Sequence, residues 1–127
     1  MVTTERLKEV GIFQGISDEE LEMVLSSVVR VQEFPEGKVI FSESEESSNM
    51  YVVDSGRVNL DIEAVPDTHV QVASLTRNSV FGWETLVPPY KYTSTAKAVA
   101  GSNLIELDGK KMRSLCETHP DICARVM

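Results

Sequence analysis

With 127 residues, 42% of them hydrophobic and 25% charged, the chain is long enough for one buried core and has the composition of an ordinary folded domain. A formal net charge of −8 opposes nonspecific binding to nucleic acid, whose phosphates need a basic face. No run approaches the roughly 18 apolar residues of a membrane-spanning helix, and Met1 to Val10 lacks the apolar centre of a signal peptide, so the expected location is the cytoplasm and no membrane partner is expected.

The helical signals come first. Thr4 to Val10 predicts a short helix that Gly11 interrupts. Ile12, Phe13 and Ile16 form a compact apolar group expected to dock on the core. Ser17-Asp18-Glu19-Glu20 reads as a capping box, with Ile16 and Leu21 at the staple positions around it. Leu21, Val24, Leu25 and Val28 follow at helical spacing, which predicts a helix from Asp18 to about Val28.

After Val28 the period changes. Val29 and Val31 take β-branched spacing up to a turn at Pro35-Glu36-Gly37, and Lys38 to Phe41 is a short strand. Ser42 to Asn49 is a polar loop carrying Glu43, Glu45 and Glu46. Met50 to Val53 is continuously apolar and predicts a core strand, ended by a turn at Asp54-Ser55-Gly56. Val58, Leu60 and Ile62 alternate with polar residues as a half-buried strand does. Pro66-Asp67 turns the chain, Val70 and Val72 alternate again, Leu75 continues the run past a bulge, and Arg77-Asn78-Ser79 is another turn.

The stretch from Phe81 to Ala96 holds the only Trp, two of the three Tyr and two of the five Pro. Gly82 permits a positive φ or a close backbone approach. A short turn after it leaves amide groups free, which suits a small anion. Pro88-Pro89 forbids both a helix and a central strand there. Thr93 to Val99 predicts a strand, Gly101-Ser102-Asn103 a turn, and Leu104 to Leu107 another strand.

Asp108 is the expected N-cap of a helix holding Met112, Leu115 and Cys116, and Pro120 ends it or opens the next. Ile122 and Val126, four apart, suit either a dimer seam or ordinary helix packing. Cys116 and Cys123 match no disulfide framework or zinc pattern and read as two small, partly buried thiols. His69 and His119 have no neighbours that suggest ligation, and no nucleophile–base pair, acid pair or metal cluster stands at a workable spacing, so no enzyme is expected. Short strands between terminal helices predict a mainly β sandwich or jelly roll. Residues 1–127 form one domain in this reading, with a β-roll at 28–107 and helical flanks at 1–27 and 108–127.

The order of these signals resembles the cyclic-nucleotide-binding domain of the Crp/Fnr and kinase-regulatory superfamily, from about Leu7 to Met127. Ile12-Phe13-Gln14-Gly15-Ile16-Ser17 is similar to the family's opening Leu-Phe-x-x-Leu-Ser, and Phe34 to Phe41 to its Gly-containing hairpin. Met50 to Val58 resembles its Tyr-x-Ile-x-x-Gly-x-Val strand and turn, and Phe81-Gly82 the entry to its phosphate-binding cassette. The resemblance implies an eight-stranded jelly roll (double-stranded β-helix) with flanking helices, enclosing a pocket for a small-molecule effector. It implies that an Arg and the amides after Phe-Gly hold the ligand's phosphate, while the Glu right after the Gly takes the ribose.

This sequence departs at both positions. Trp83 stands where the family has Glu, with Glu84 one residue late. Tyr92 aligns with the Arg, with Lys91 one residue early and Thr93-Ser94 after it. A phosphate without its Arg loses a charge-assisted hydrogen bond of about 1.5–3 kcal/mol, roughly 10- to 150-fold in affinity. The candidate ligand-binding residues are Phe81, Gly82, Trp83, Glu84, Thr85, Leu86, Tyr90, Lys91, Tyr92, Thr93 and Ser94. One reading keeps cyclic AMP or cyclic GMP as ligand, with Lys91 as the cation. A second has the pocket filled by Trp83, Tyr90 and Tyr92, or reshaped for another small anion or an apolar ligand, so that cyclic-nucleotide binding is weak, altered or lost. In both, the resemblance implies output through the C-terminal helices, Asp108 to Met127, toward a second copy or an output domain. No helix-turn-helix is visible, so no direct contact with nucleic acid is expected of this chain.

Overall fold

Eight strands make two four-stranded antiparallel sheets in the computed structural model, which describes residues 2–123. In chain order they are β1 (Val28–Phe34), β2 (Val39–Phe41), β3 (Asn49–Ser55), β4 (Val58–Val65), β5 (Thr68–Leu75), β6 (Val80–Phe81), β7 (Thr95–Ala98) and β8 (Ser102–Asp108). One sheet has the order β1-β8-β3-β6 and the other β2-β7-β4-β5. Helices flank the roll: α1 (Thr4–Lys8), α2 (Asp18–Ser26), α3 (Gly109–Thr118) and α4 (Pro120–Cys123). This is the jelly roll with helical flanks that the strand spacing and the resemblance predict.

The period of two along the central strands divides the core. In β3, Tyr51 and Val53 face the interior of the roll, while Met50 and Val52 pack with the helices. In β8, Leu104 faces the roll, and Ile105 and Leu107 face the helices. Both faces of β3 are therefore covered, which is why Met50 to Val53 is continuously apolar. Phe13 from the 3₁₀ turn at Gly11–Phe13, Leu7, Leu21, Val24, Met112 and Ile122 complete the helical layer. Burying each such side chain contributes about 1.5–3 kcal/mol.

The caps read from the sequence are present. Ser17 Oγ accepts from the Glu20 N–H at 3.1 Å, and Glu20 Oε1 accepts from the Ser17 N–H at 3.1 Å. Asp108 Oδ1 accepts from the Lys110 and Lys111 amides at 2.9 and 3.1 Å. Helix α2 stops at Ser26, because Val28 already pairs with Leu107 in the sheet.

Four expectations are corrected. Ser102 and Asn103 lie in β8 rather than in a turn: Ser102 Oγ accepts from the Arg57 N–H at 3.1 Å and is buried. Thr93 and Ser94 precede β7, which starts at Thr95. Strand β5 is an edge strand, exposed through most of its length, with Val70 and Val72 both open to solvent instead of half-buried. Cys116 and Cys123 are joined in a disulfide, because the corner between α3 and α4 brings their Cα atoms to 5.4 Å. Val126 and the last helical turn of the sequence reading lie outside the described residues.

Candidate functional site

The cassette leaves β6 through Gly82, whose φ is +80°. A Cβ at this position would stand 2.9 Å from the Asn49 carbonyl oxygen, so conformation and space both require glycine. A 3₁₀ turn follows at Trp83–Leu86 and buries Glu84 and Thr85. With those two side chains inward, Trp83 turns out: it is 38% exposed and lines a groove with Ile12, Leu75 and Val80. The expectation that Trp83 fills the roll is corrected on that ground. Leu86 packs against the helical layer.

Beyond the cis peptide Pro88–Pro89 and Tyr90, at φ +59°, the chain runs beside the acidic loop. The Tyr92 N–H donates to the Glu45 carbonyl at 3.0 Å. The Ser44 N–H donates to the Tyr92 carbonyl at 2.8 Å, and the Ser47 N–H to that of Tyr90 at 2.8 Å. This pairing sets an alternation. Tyr92, Ser94, Ala96 and Ala98 are buried, while Lys91, Thr93 and Lys97 are exposed. Lys91, the cation nearest the family's Arg position, therefore sits on the surface, and Tyr92 enters the roll.

Tyr92 stacks on Phe41, with ring centroids 3.6 Å apart and planes 7° from parallel. Its hydroxyl accepts from the Ser48 and Asn49 amides at 3.3 and 3.2 Å and donates to the Asn49 carbonyl at 2.8 Å. Phe41 lies 6.0 Å from Tyr51 and 5.9 Å from Phe81, and Tyr51 and Phe81 stack at 5.2 Å. Four aromatic rings thus occupy the interior of the roll beneath the cassette. Burial pushes the Tyr51 phenol well above its ordinary range, with the neighbouring Tyr92 and Glu106 adding to the shift. Burial raises Tyr92 too, against the lowering effect of the amides that donate to it. Both phenols are held neutral, the form that low-polarity surroundings favour. Glu106 is itself buried and accepts from Arg30 Nε at 2.6 Å.

Glu84 accepts from Thr93 Oγ1 at 3.0 Å. The cassette is also tied to α3. Arg113 donates from Nε and Nη2 to the Thr85 carbonyl at 2.9 and 2.7 Å, and its guanidinium lies 3.8 Å over the Tyr90 ring. Gly109 packs so close that a Cβ there would meet Thr85 Cβ at 2.9 Å. A cleft of about 560 Å³ opens beside this contact, outside the roll, with Glu46, Asn49, Tyr90, Asp108, Lys110 and Arg113 on its walls.

The structure buries Phe81, Gly82, Glu84, Thr85, Tyr92 and Ser94, with Phe81 and Tyr92 inside the roll, Thr85 against Gly109, and Thr93 bonded to Glu84. It sets Trp83, Lys91 and Tyr90 apart on its outside. Sequence reasoning missed Phe41, Tyr51, Asn49, Gly109 and Arg113. Tyr51 stands in the motif that carries the resemblance, so its place was readable; Arg113 and Gly109 act across more than twenty residues and leave no local signal.

The profile of the cyclic nucleotide-binding domain matches residues 31–119. The chain belongs to that family, within the Crp/Fnr superfamily. It is 24% identical over 123 residues to the CRP-like cAMP-activated global transcriptional regulator of Mycobacterium tuberculosis, covering 97% of this chain and 54% of that one. Among solved structures it is similar to a Geobacter metallireducens protein named for cyclic nucleotide binding, at 28% identity and a TM-score of 0.85, over 100% of this chain and 91% of the other. The catabolite activator protein of Thermus thermophilus matches at 25% identity and a TM-score of 0.79, over 91% of this chain and 54% of the other. The chain spans about half the length of the curated regulators it matches. Among the described residues, no helix is long and apolar enough to cross a membrane.

Proposed function

We propose that this chain is a regulatory sensor module whose ligand pocket is occupied by its own aromatic side chains, so that cyclic AMP and cyclic GMP bind weakly or not at all. The observation that carries the reading is Tyr92. It stands at the position the family resemblance gives to the phosphate-binding Arg, it is buried against Phe41, and its hydroxyl is satisfied by three backbone groups of Ser48 and Asn49. A phosphate there would meet a neutral phenol in place of a guanidinium fork and would displace a stacked ring. The exposed position of Lys91 supports the same reading, since the remaining nearby cation is on the outer side of the segment.

The module regulates rather than catalyses, as do the relatives whose names describe a cAMP-activated regulator and a catabolite activator. Its signal passes from the cassette to α3 through the Arg113 contacts and Gly109, and from there to a partner subunit or an output domain. A signal of this kind needs an effector that favours one arrangement of cassette and α3 over the other. The test is calorimetric titration with cyclic AMP and cyclic GMP, paired with a Tyr92→Arg variant. The wild type gives no saturable heat at micromolar nucleotide; saturable micromolar binding by the wild type would overturn the reading.

A further inference from the structure

We propose that Cys116 and Cys123 are a reversible thiol–disulfide site that clamps the corner between α3 and α4. The corner turns at His119, whose φ of −133° and ψ of 75° leave the helical region. It brings the two Cα atoms to 5.4 Å, inside the range that a disulfide spans. The two sulfurs are unequal in access. Cys123 is buried in the helical layer beside Ile122, whereas Cys116 is only partly buried and can be reached from solvent.

Most of the helical core is made by other side chains: Leu7, Phe13, Leu21, Met50, Ile105 and Met112 are buried in one cluster with Cys123. What the bridge holds is local. The described residues of α4 are Pro120–Cys123, and two of them, Ile122 and Cys123, are buried. Among the described residues, the burial of Ile122 and Cys123 and the bond to Cys116 tie this segment to the domain. Helix α3, at the other end of the bond, is the element that Arg113 ties to the cassette. In a compartment kept reducing, disulfides are transient and serve as sensors, and a bridge over seven residues at an accessible corner fits that use.

The step balances with a small-molecule disulfide as oxidant. The Cys116 thiolate attacks one sulfur of the oxidant and releases one thiolate, leaving a mixed disulfide. The Cys123 thiolate then attacks Cys116 Sγ and releases the second. Two cysteine thiols lose two electrons and two protons, and one disulfide becomes two thiols.

The test holds the 127-residue chain in glutathione buffers of graded oxidised-to-reduced ratio, then alkylates and counts free thiols by intact mass. Hydrogen exchange of the amides from Glu117 to Cys123 is read in the same samples. The expected result is two free thiols at the reducing end, none at the oxidising end and a transition between, with exchange in that segment about tenfold faster when reduced, as local opening requires. Cys116→Ser and Cys123→Ser should each abolish the dependence on the buffer and fix the segment at the faster rate. Two free thiols in every buffer would overturn the site. A bridge that survives every buffer would make it a permanent staple and overturn the switch, and so would exchange that ignores the oxidation state. The wild-type series decides even if a variant fails to fold.

Discussion

Tyr92 concentrates the physical argument at the scale of single residues. Its ring stacks on Phe41, and its hydroxyl bonds two amides and one carbonyl of Ser48 and Asn49 in a part-buried setting. Tyr92→Phe keeps the stack and removes those bonds, so it should lower unfolding stability by about 1–3 kcal/mol. Urea denaturation measures this, and a change below about 0.5 kcal/mol, the scatter expected of a neutral surface substitution, would show that the hydroxyl is idle. The raised phenols of Tyr51 and Tyr92 also set a pH dependence. Their neutral forms are favoured in the fold, so the unfolded chain releases these protons first, near the ordinary phenol value of about 10. Stability is therefore fully present below about pH 10 and falls as pH rises from there toward the folded values. Thermal melts between about pH 8 and pH 11 should show the loss at the alkaline end, and Tyr51→Phe should reduce it. A melting temperature that holds level across the window in the wild type would contradict the assignment.

Between elements, the contact that counts is cassette to α3. The Arg113 fork reaches the Thr85 carbonyl and covers Tyr90, while Gly109 lets the helix approach. Arg113→Lys keeps the charge but loses the planar fork and the stacking, so it should cost about 1 kcal/mol or more and loosen the cassette. Faster hydrogen exchange at the amides from Trp83 to Leu86 is the expected signature; unchanged exchange there would mean that the latch does not hold the cassette. The elements differ in how readable they are. The capping box at Ser17, the N-cap at Asp108 and the core strand from Met50 to Val53 are written locally, in side-chain chemistry and period, and the structure has all three. The start of β8 at Ser102 was hidden because a Gly-Ser-Asn run is also turn chemistry; long-range pairing with Phe34 decides it. The outward position of Trp83 depends on which side of a four-residue 3₁₀ turn is buried, and the Cys116–Cys123 pairing depends on a helix corner. Neither is encoded by composition or period.

For the whole molecule, two sheets enclose an aromatic interior and a helical layer packs against one of them. The family resemblance made the roll and the cassette legible, and it marked the two substituted positions, Trp83 and Tyr92. It did not give their consequences, which come from three dimensions: one points out, and the other joins Phe41, Tyr51 and Phe81 in the interior. The chain has the fold of the cyclic nucleotide-binding domain, and in the proposed reading an aromatic contact stands where the resemblance expects a charged phosphate contact. Because Trp83 is on the outside of the roll, its emission is a poor reporter of the interior, and binding must be read by heat or by stability. The most direct test is calorimetric titration of the chain with cyclic AMP and cyclic GMP, backed by melting curves at the same ligand concentrations. The account predicts no saturable heat and no melting rise at micromolar nucleotide, since losing the Arg contact removes roughly 10- to 150-fold in affinity and the stacked Tyr92 ring must also be displaced. Saturable micromolar binding, with the rise in melting temperature that linkage then requires, would contradict it.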